Sequence, residues 1–226
     1  MARRKKSSTR RIAIWVALLA VAVVAIVFGL RHQRLLLLPT AGVTVVSPDH
    51  AEPAIESRKV TITGKLEISQ PPRDPQFGIA VDAAILLREV SMYQWRERCN
   101  GGSCRYDTVW SGRPIDSRKF REPAGHENPA LPIAEARFVA GEIRLDGLAV
   151  DPELAAAQLA AVDYPVHATA LPPNLAATFR EIDGNLYAGG DPSRPSVGEL
   201  RVSYRIVPTG AASLSGVQRG AKLTVN

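Results

Sequence analysis

The segment REVSMYQWRERCNGGSCRYDTVW, residues 88–110, contains both cysteines and two of the three tryptophans of a 226-residue chain. Aromatic residues lie on both sides of a central Asn-Gly-Gly-Ser sequence, whose residues tolerate the positive φ angles that a tight loop needs. We therefore predict a β-hairpin, with Arg88–Arg98 as one strand and Arg105–Trp110 as its return.

The two cysteines suggest a register for this hairpin. If Cys99 lies opposite Cys104, Trp95 faces Thr108. Because side chains alternate across a strand, the aromatic residues then share one face. That face comprises Tyr93, Trp95, Tyr106 and Trp110. The other face, which we expect to be solvated, comprises Gln94, Arg96, Arg98, Arg105 and Asp107. We expect the aromatic face to pack against a second layer of the domain, with a carbohydrate- or lipid-binding platform as the alternative.

The net charge of +6 is concentrated at the start of the chain. Residues 1–34 contain eight lysines and arginines and no acid, whereas the remainder contains 20 bases and 22 acids. The main body is therefore nearly neutral, and we expect no nucleic-acid partner for it.

Residues 12–30, IAIWVALLAVAVVAIVFGL, carry no charge, and about 20 such residues suffice to cross a bilayer as a helix. We predict a transmembrane helix here, extending as far as residue 38 at most. The positive-inside rule places the basic segment 1–11 in the cytoplasm. A cleaved signal peptide is the alternative, although its apolar run is usually shorter. Both interpretations export the rest of the chain, as a neck at 39–54 and a β-rich domain at 55–226.

Export to an oxidising compartment predicts a disulfide between Cys99 and Cys104, which should contribute roughly 2 kcal/mol in the chain-entropy model. A redox pair and a metal pair are the alternatives. The spacing differs from the C-x-x-C redox type. Two thiols are too few for a typical zinc site, and no histidine lies nearby in sequence, so we expect no metal site.

Outside the hairpin, the patterns predict a mainly β (α+β) fold with one or two short helices. The clearest helix is expected over Asp151–Val162, with Asp151 as its N-cap and Pro152 in its first position. A second short helix is expected in PPNLAATFREI. The expected strands cover residues 58–69, 77–87 and 198–208, followed by one strand or a pair of strands over 213–225.

The hairpin sequence resembles the transmembrane protein 43 family, also called LUMA. REVSMYQWRE is similar to its R-x-V-E-M-Y-Q-W-x-E signature, with Ser91 where glutamate is usual. Later segments are similar to its Y-x-x-x-W, F…GH-x-NP and V-G-D-x-R-V-S-F motifs. In the last of these, Glu199 replaces the usual aspartate. The matching residues are Arg88, Val90, Met92, Tyr93, Gln94, Trp95, Glu97, Tyr106, Trp110, Phe120, Gly125, His126, Asn128, Pro129, Gly198 and Arg201. The family's later apolar spans do not occur before Asn226, so a fragment and a one-span member are both open.

The resemblance implies a non-enzymatic membrane protein that scaffolds partners or organises or senses the membrane. Its partners would be the lipid bilayer and other proteins or further copies of the chain, with no cofactor. The alanine-rich composition favours a bacterial inner membrane with residues 39–226 in the periplasm, so the lamin binding of animal members is not carried over. The alternative is an exported hydrolase that uses the His126–Glu127 loop. We favour a structural turn there and expect no catalytic residue, since neither a phosphate-binding loop nor a nucleophile elbow occurs.

Overall fold

A computed structural model describes residues 44–45 and 58–225. The predicted transmembrane helix at 12–30 and nearly all of the predicted neck lie outside these residues. Within them, no helix has the length and apolar character needed to cross a bilayer.

The described part of the chain is mainly β, as the sequence predicts. Its strands are β1 (Thr44–Val45), β2 (Lys59–Ile68), β3 (Arg73–Asp74), β4 (Ile79–Ala80), β5 (Ala83–Asn100), β6 (Ser103–Ser111), β7 (Ala136–Val139), β8 (Ile143–Leu145), β9 (Leu148–Val150), β10 (Val162–Tyr164), β11 (Arg180–Ile182), β12 (Asn185–Ala188), β13 (Leu200–Pro208), β14 (Gly210–Arg219) and β15 (Lys222–Thr224). Its helices are α1 (Pro152–Gln158) and α2 (Pro173–Ala176), with 3-10 turns at Ser117–Lys119 and Ala168–Ala170.

One sheet has the order β1-β2-β14-β15-β9-β8, and β8 pairs again with β2. Helix α1 lies against this sheet and buries Leu154 and Ala155. Gln158 ties the helix to β14, because its amide nitrogen donates to the carbonyl of Ser215 and its amide oxygen accepts from the Ser215 backbone nitrogen. The core on this sheet is aliphatic and also takes in Ile85 of β5 and Val207 of β13; its residues from the first sheet include Val60, Ile62, Leu66, Leu145, Leu214 and Leu223.

The second sheet has the order β11-β12-β13-β5-β6, with β10 pairing with β13 and β7 with β5. Its long central strand, β5, buries Leu86, Val90 and Met92 on one side. Segments before and after the strand cover this side and complete a second core, which includes Phe77, Ile133, Val166, Phe179, Leu186, Val202 and Tyr204.

Two predicted boundaries differ from the structure. Asp151 does cap α1, accepting from the backbone nitrogen of Glu153. The helix nevertheless ends at Gln158, because Val162 opens β10 and pairs with Ile206. The strand expected over 77–87 begins only at Ala83, since Phe77 lies in a turn that holds Gly78 at a φ of 71°. The strands expected over 198–208 and 213–225 are present as β13 and as the pair β14–β15.

Candidate functional site

The central feature of the candidate site is the hairpin formed by β5 and β6, and its predicted register is confirmed. Cys99 lies opposite Cys104, Trp95 opposite Thr108, and the two cysteines are joined in a disulfide. Gly101 takes a φ of 63° in the turn, which a residue with a side chain would adopt only with strain. The local sequence is therefore sufficient to set this register.

The predicted solvation of the polar hairpin face is wrong at Gln94. Gln94, expected on a solvated face, is 0% exposed, because this side of β5 continues the buried row of Met92. Its amide is fully used: the nitrogen donates to the carbonyls of Ser111 and Arg113, and the oxygen accepts from the backbone nitrogen of Ile115. Only towards the tip does this face meet water, where Arg98 is 65% exposed. The aromatic face is half-buried throughout.

Glu97 connects the hairpin to the segment that follows it. One carboxylate oxygen accepts from the hydroxyl of Tyr106 at 2.8 Å and from the backbone nitrogen of Arg121 at 2.6 Å. The Tyr106 hydroxyl in turn accepts from the backbone nitrogen of Glu122. The hydrogen bonds from the Arg121 backbone and from Tyr106 hold the pKa of Glu97 below its usual range. Desolvation, and then the hydrogen bond to Glu97, raise the pKa of Tyr106. This polar network fixes the loop on the aromatic face.

His126 covers the aromatic face as a third ring. It stacks on Tyr106 with ring centroids 3.9 Å apart and meets the Trp95 ring edge-on at 4.8 Å. Its Nδ1 lies 3.0 Å from the carbonyl oxygen of Glu122. The Glu127 carboxylate turns away to accept from the backbone nitrogen of Gly125. Bonds to the backbone nitrogens of Glu127 and Gly125 lower the pKa of this carboxyl. His126 and Glu127 thus have separate partners, and each stabilises the loop.

The Asn128 side chain continues the hydrogen bonding along the edge of β5, beyond the end of β13. Its Oδ1 accepts from the Trp95 backbone nitrogen at 2.7 Å, and its Nδ2 donates to the Trp95 carbonyl at 2.9 Å. One side chain therefore satisfies the two main-chain groups that a neighbouring strand would otherwise pair. The same Nδ2 reaches the carbonyl of Ile115, and the Asn128 backbone nitrogen donates to the hydroxyl of Ser117.

Gly198 allows this loop to approach β13. Its φ is 96°, and a Cβ there would lie 3.2 Å from Cγ of Pro129. The backbone nitrogen of Gly198 donates to the carbonyl of Tyr93. The family-motif residues Asn128, Pro129 and Gly198 therefore meet at one edge of β5.

Aromatic and cationic side chains alternate next to the base of the hairpin. The Arg201 guanidinium lies 3.9 Å from the centre of the Trp110 ring, and the Arg180 guanidinium lies 5.2 Å from that of Tyr187. The Tyr187 hydroxyl donates a hydrogen bond to Glu199. Burial, and then this bond, raise the pKa of Tyr187 to about 12. Desolvation opposes ionisation of Glu199, but the bond from Tyr187 and those to the backbone outweigh it and lower its pKa.

Arg88, the first signature residue, belongs to a buried polar group that the sequence did not reveal. Its Nη1 lies 2.7 Å from Oδ2 of Asp74, which also accepts from the Tyr204 hydroxyl at 2.7 Å. The other carboxylate oxygen accepts from the backbone nitrogens of Gln76 and Phe77. Burial and then Asp74 raise the pKa of Tyr204. The sequence did contain one signal for this group: Arg88 follows the apolar run at the start of β5. A cation buried there requires an acidic partner.

One group of side chains in the described part has the spacing of metal ligands. The ligand atoms of Glu97, Cys99 and Cys104 lie within 4.8 Å of one another. The disulfide occupies both sulfur atoms, and the carboxylate already accepts two hydrogen bonds. These residues therefore form a structural link in their oxidised state. His167 lies 3.1 Å from the exposed carboxylate of Glu181.

The family model for transmembrane protein 43 matches residues 92–225. The human transmembrane protein 43 is 36% identical over 107 residues, which cover 41% of this chain and 27% of the human protein. The mouse protein is 35% identical over the same length, and the Drosophila melanogaster homolog is 27% identical over 112 residues, or 30% of its length. No solved structure matches the chain.

The match begins at Met92, inside β5, and runs through the hairpin, the loop of His126 and Asn128, and β13. The alignments to the animal proteins span only about a quarter to a third of those proteins' lengths. The chain belongs to the transmembrane protein 43 family.

Proposed function

We propose that the chain is a membrane-anchored, non-enzymatic envelope protein whose β-rich domain presents the β5–β6 hairpin to partners. One observation carries the proposal: the family-motif residues converge on the hairpin and the loop that supports it. Glu97, Tyr106, His126 and Asn128 all stabilise this unit. Residues used in this way prepare a surface for recognition, since a preorganised loop loses little entropy on binding.

Membrane anchoring is supported by the apolar segment at 12–30, with its basic flank, and by the relatives' description as transmembrane proteins. We place residues 1–11 in the cytoplasm of a bacterium and residues 39–226 in its periplasm. The disulfide supports this orientation, because disulfides persist in oxidising compartments.

An exported hydrolase that uses His126 and Glu127 is the competing proposal. A histidine base is normally oriented by an acid and directed at a nucleophile. Here the imidazole packs between Tyr106 and Trp95 and bonds to a backbone carbonyl, while Glu127 caps its own loop. The arrangement supports a structural loop better than a catalytic one.

The scaffold proposal is tested by photo-crosslinking in intact cells that express the full chain. A photoreactive residue replaces Ser103 at the hairpin tip or, as the matched control, Ala211, which is exposed on β14 in the other sheet. We expect discrete adducts from position 103 that are absent from position 211. Identical patterns from both positions would contradict a role for the hairpin in recognition.

The hydrolase alternative is tested on the full chain in lipid nanodiscs with a panel of chromogenic esters. We expect no turnover above that of empty discs. Turnover that His126→Ala abolishes without lowering the melting temperature would overturn the non-enzymatic proposal. A His126→Ala variant that simply melts earlier would support the structural role of the ring.

A further inference from the structure

Positive charge is concentrated at one end of the described domain. Residues 96–121 contain seven bases and three acids, a net charge of +4. The other described residues, 58–95 and 122–225, contain 13 bases and 16 acids, a net charge of −3. The near-neutral body that the whole-chain count indicated therefore consists of two oppositely charged parts.

We call the bases of this segment the basic end. They are Arg96, Arg98, Arg105, Arg113, Arg118, Lys119 and Arg121. The fold keeps them around the hairpin because the loop after β6 returns along it. The Nη1 of Arg121, for instance, donates to the carbonyl of Gly102 in the hairpin turn at 2.6 Å.

The three acids of the segment already have partners. Asp107 accepts from Arg96 and Arg98, Asp116 pairs with Arg118, and Glu97 is held by Tyr106 and a backbone nitrogen. Among the described residues, three bases of this segment have no carboxylate within 4.0 Å: Arg105, Arg113 and Arg121. All three are exposed.

Arg105 is also in an unfavourable position within the hairpin. It lies directly opposite Arg98 in the strand register, and like charges in such cross-strand pairs are destabilising. An external anion close to the hairpin tip would relieve this repulsion. The uncompensated arginines therefore point to a negatively charged partner.

The shape of the basic end favours an extended partner over a small anion. Arg96, Arg98 and Arg105 lie on one face of the hairpin and the other bases on the loop that follows it, and the depression next to Arg98, Asn100 and Arg105 is open to solvent.

We propose that the basic end binds the anionic phospholipid headgroups of a membrane surface. This inference rests on the proposed function, because a domain tethered to a bilayer meets headgroups at high local concentration. Each base near an anionic surface strengthens binding about fivefold at moderate salt. Of the three uncompensated bases, Arg105 and Arg121 lie at the hairpin turn and contribute most directly.

The test uses the full chain in phosphatidylcholine nanodiscs and sucrose-loaded vesicles that are sedimented with bound protein. We expect binding to vesicles that contain phosphatidylglycerol and none to pure phosphatidylcholine vesicles, and we expect weaker binding as salt rises. The Arg105→Gln/Arg121→Gln variant should bind about 25-fold more weakly, from two fivefold losses. The single variant Arg105→Gln should lose about fivefold, and it removes no side-chain hydrogen bond or ion pair within the described domain.

The matched control is Arg144→Gln/Arg219→Gln, which makes the same change in net charge on the other sheet. Arg144 donates to the carbonyl of Gly147 as Arg121 does to that of Gly102, although it also pairs with Glu142, and Arg219 is exposed like Arg105. This control should bind within about twofold of the unmodified chain, since its charges lie outside the basic end.

Three results would overturn the lipid proposal: equal loss in both double variants, full binding by the Arg105→Gln/Arg121→Gln variant, or equal binding to both kinds of vesicle. Inorganic phosphate that displaces the protein better than chloride at equal ionic strength would indicate a discrete phosphate site and would also overturn it. In each case, crosslinked adducts from position 103 would still support the proposed function. Failure of the lipid proposal is therefore distinguishable from failure of the proposed function.

Discussion

Replacing Asp74 by alanine should be among the most damaging single changes in the described domain. Asp74 is 0% exposed and holds the guanidinium of Arg88, the hydroxyl of Tyr204 and two backbone nitrogens. Removing one partner of a buried ion pair leaves the other charge without compensation, which costs about 3–5 kcal/mol. For a protein of this size each kcal/mol lowers the melting temperature by about 2–4 °C, so we expect a decrease of about 6–20 °C.

The assay is thermal unfolding of the full chain in nanodiscs, followed by near-ultraviolet circular dichroism. Asp163→Ala is the matched control, because that side chain is 97% exposed and lies 3.5 Å from Arg205. An exposed pair of this kind contributes little, so the control should melt close to the unmodified chain. If Asp74→Ala behaved like Asp163→Ala, the reasoning about the buried group would be refuted.

A double-mutant cycle isolates the role of Tyr204. Tyr204→Phe alone should cost about 1.5–3 kcal/mol, the usual range for a hydrogen bond to a charged group. If the hydroxyl acts only through Asp74, adding Tyr204→Phe to Asp74→Ala should cost less than about 0.5 kcal/mol more. Full additivity would show that the hydroxyl has another partner.

Four further predictions concern the hairpin and its surroundings. Asn128→Ala should cost about 2 kcal/mol and speed hydrogen exchange at the Trp95 amide, because two main-chain groups lose their partner. Trp95→Ala should cost about 2 kcal/mol in chemical denaturation, less than for a fully buried ring, since Trp95 is half-buried. Absorbance at 295 nm should show that Tyr187 ionises near pH 12, not near pH 10. The stability that the protonated hydroxyl contributes should be complete below pH 10 and lost as the pH rises through 12. After reduction, an impermeant thiol reagent should label Cys99 and Cys104 in intact cells; labelling only after lysis would invert the proposed topology.

Two of these stability predictions have a control variant, and the third is bounded by two threshold costs. Asn100→Ala removes an exposed asparagine at the hairpin tip and should leave exchange at Trp95 unchanged. A cost below about 1 kcal/mol for Trp95→Ala would show that the ring is a free binding surface, and a cost above about 3 would show a fully buried one. Tyr187→Phe should remove one late-titrating component and leave that of Tyr204, whose pKa burial also raises.

Local patterns in the sequence predicted the elements that depend on neighbouring residues. The cysteine positions and the side-chain alternation set the register of β5 and β6, and Asp151 with Pro152 predicted the start of α1. The end of that helix was not predicted, because Val162 is committed to β10 by its pairing with Ile206, a residue distant in sequence.

The candidate site was predicted only in part. Residues of the family motif were named from the sequence, and the structure brings His126 and Asn128 onto Trp95. Alternation along the hairpin also separates its two faces correctly, but it carries no information about which face the rest of the chain covers. Gln94 was therefore assigned to the solvated face, although the segment around Ile115 folds back beneath it and supplies its hydrogen-bond partners.

The sequence by itself determined the mainly β character, the hairpin register, the start of α1 and the family, since each depends on residues close together in the chain or on a shared motif. Only the tertiary structure decided which side of the hairpin is buried, that Asp74 completes the Arg88 group, and that the loop carrying Arg121 returns to the hairpin turn. The physical reason is that burial and ion pairing depend on distance in space: Asp74 and Tyr204 share a hydrogen bond across 130 positions of sequence.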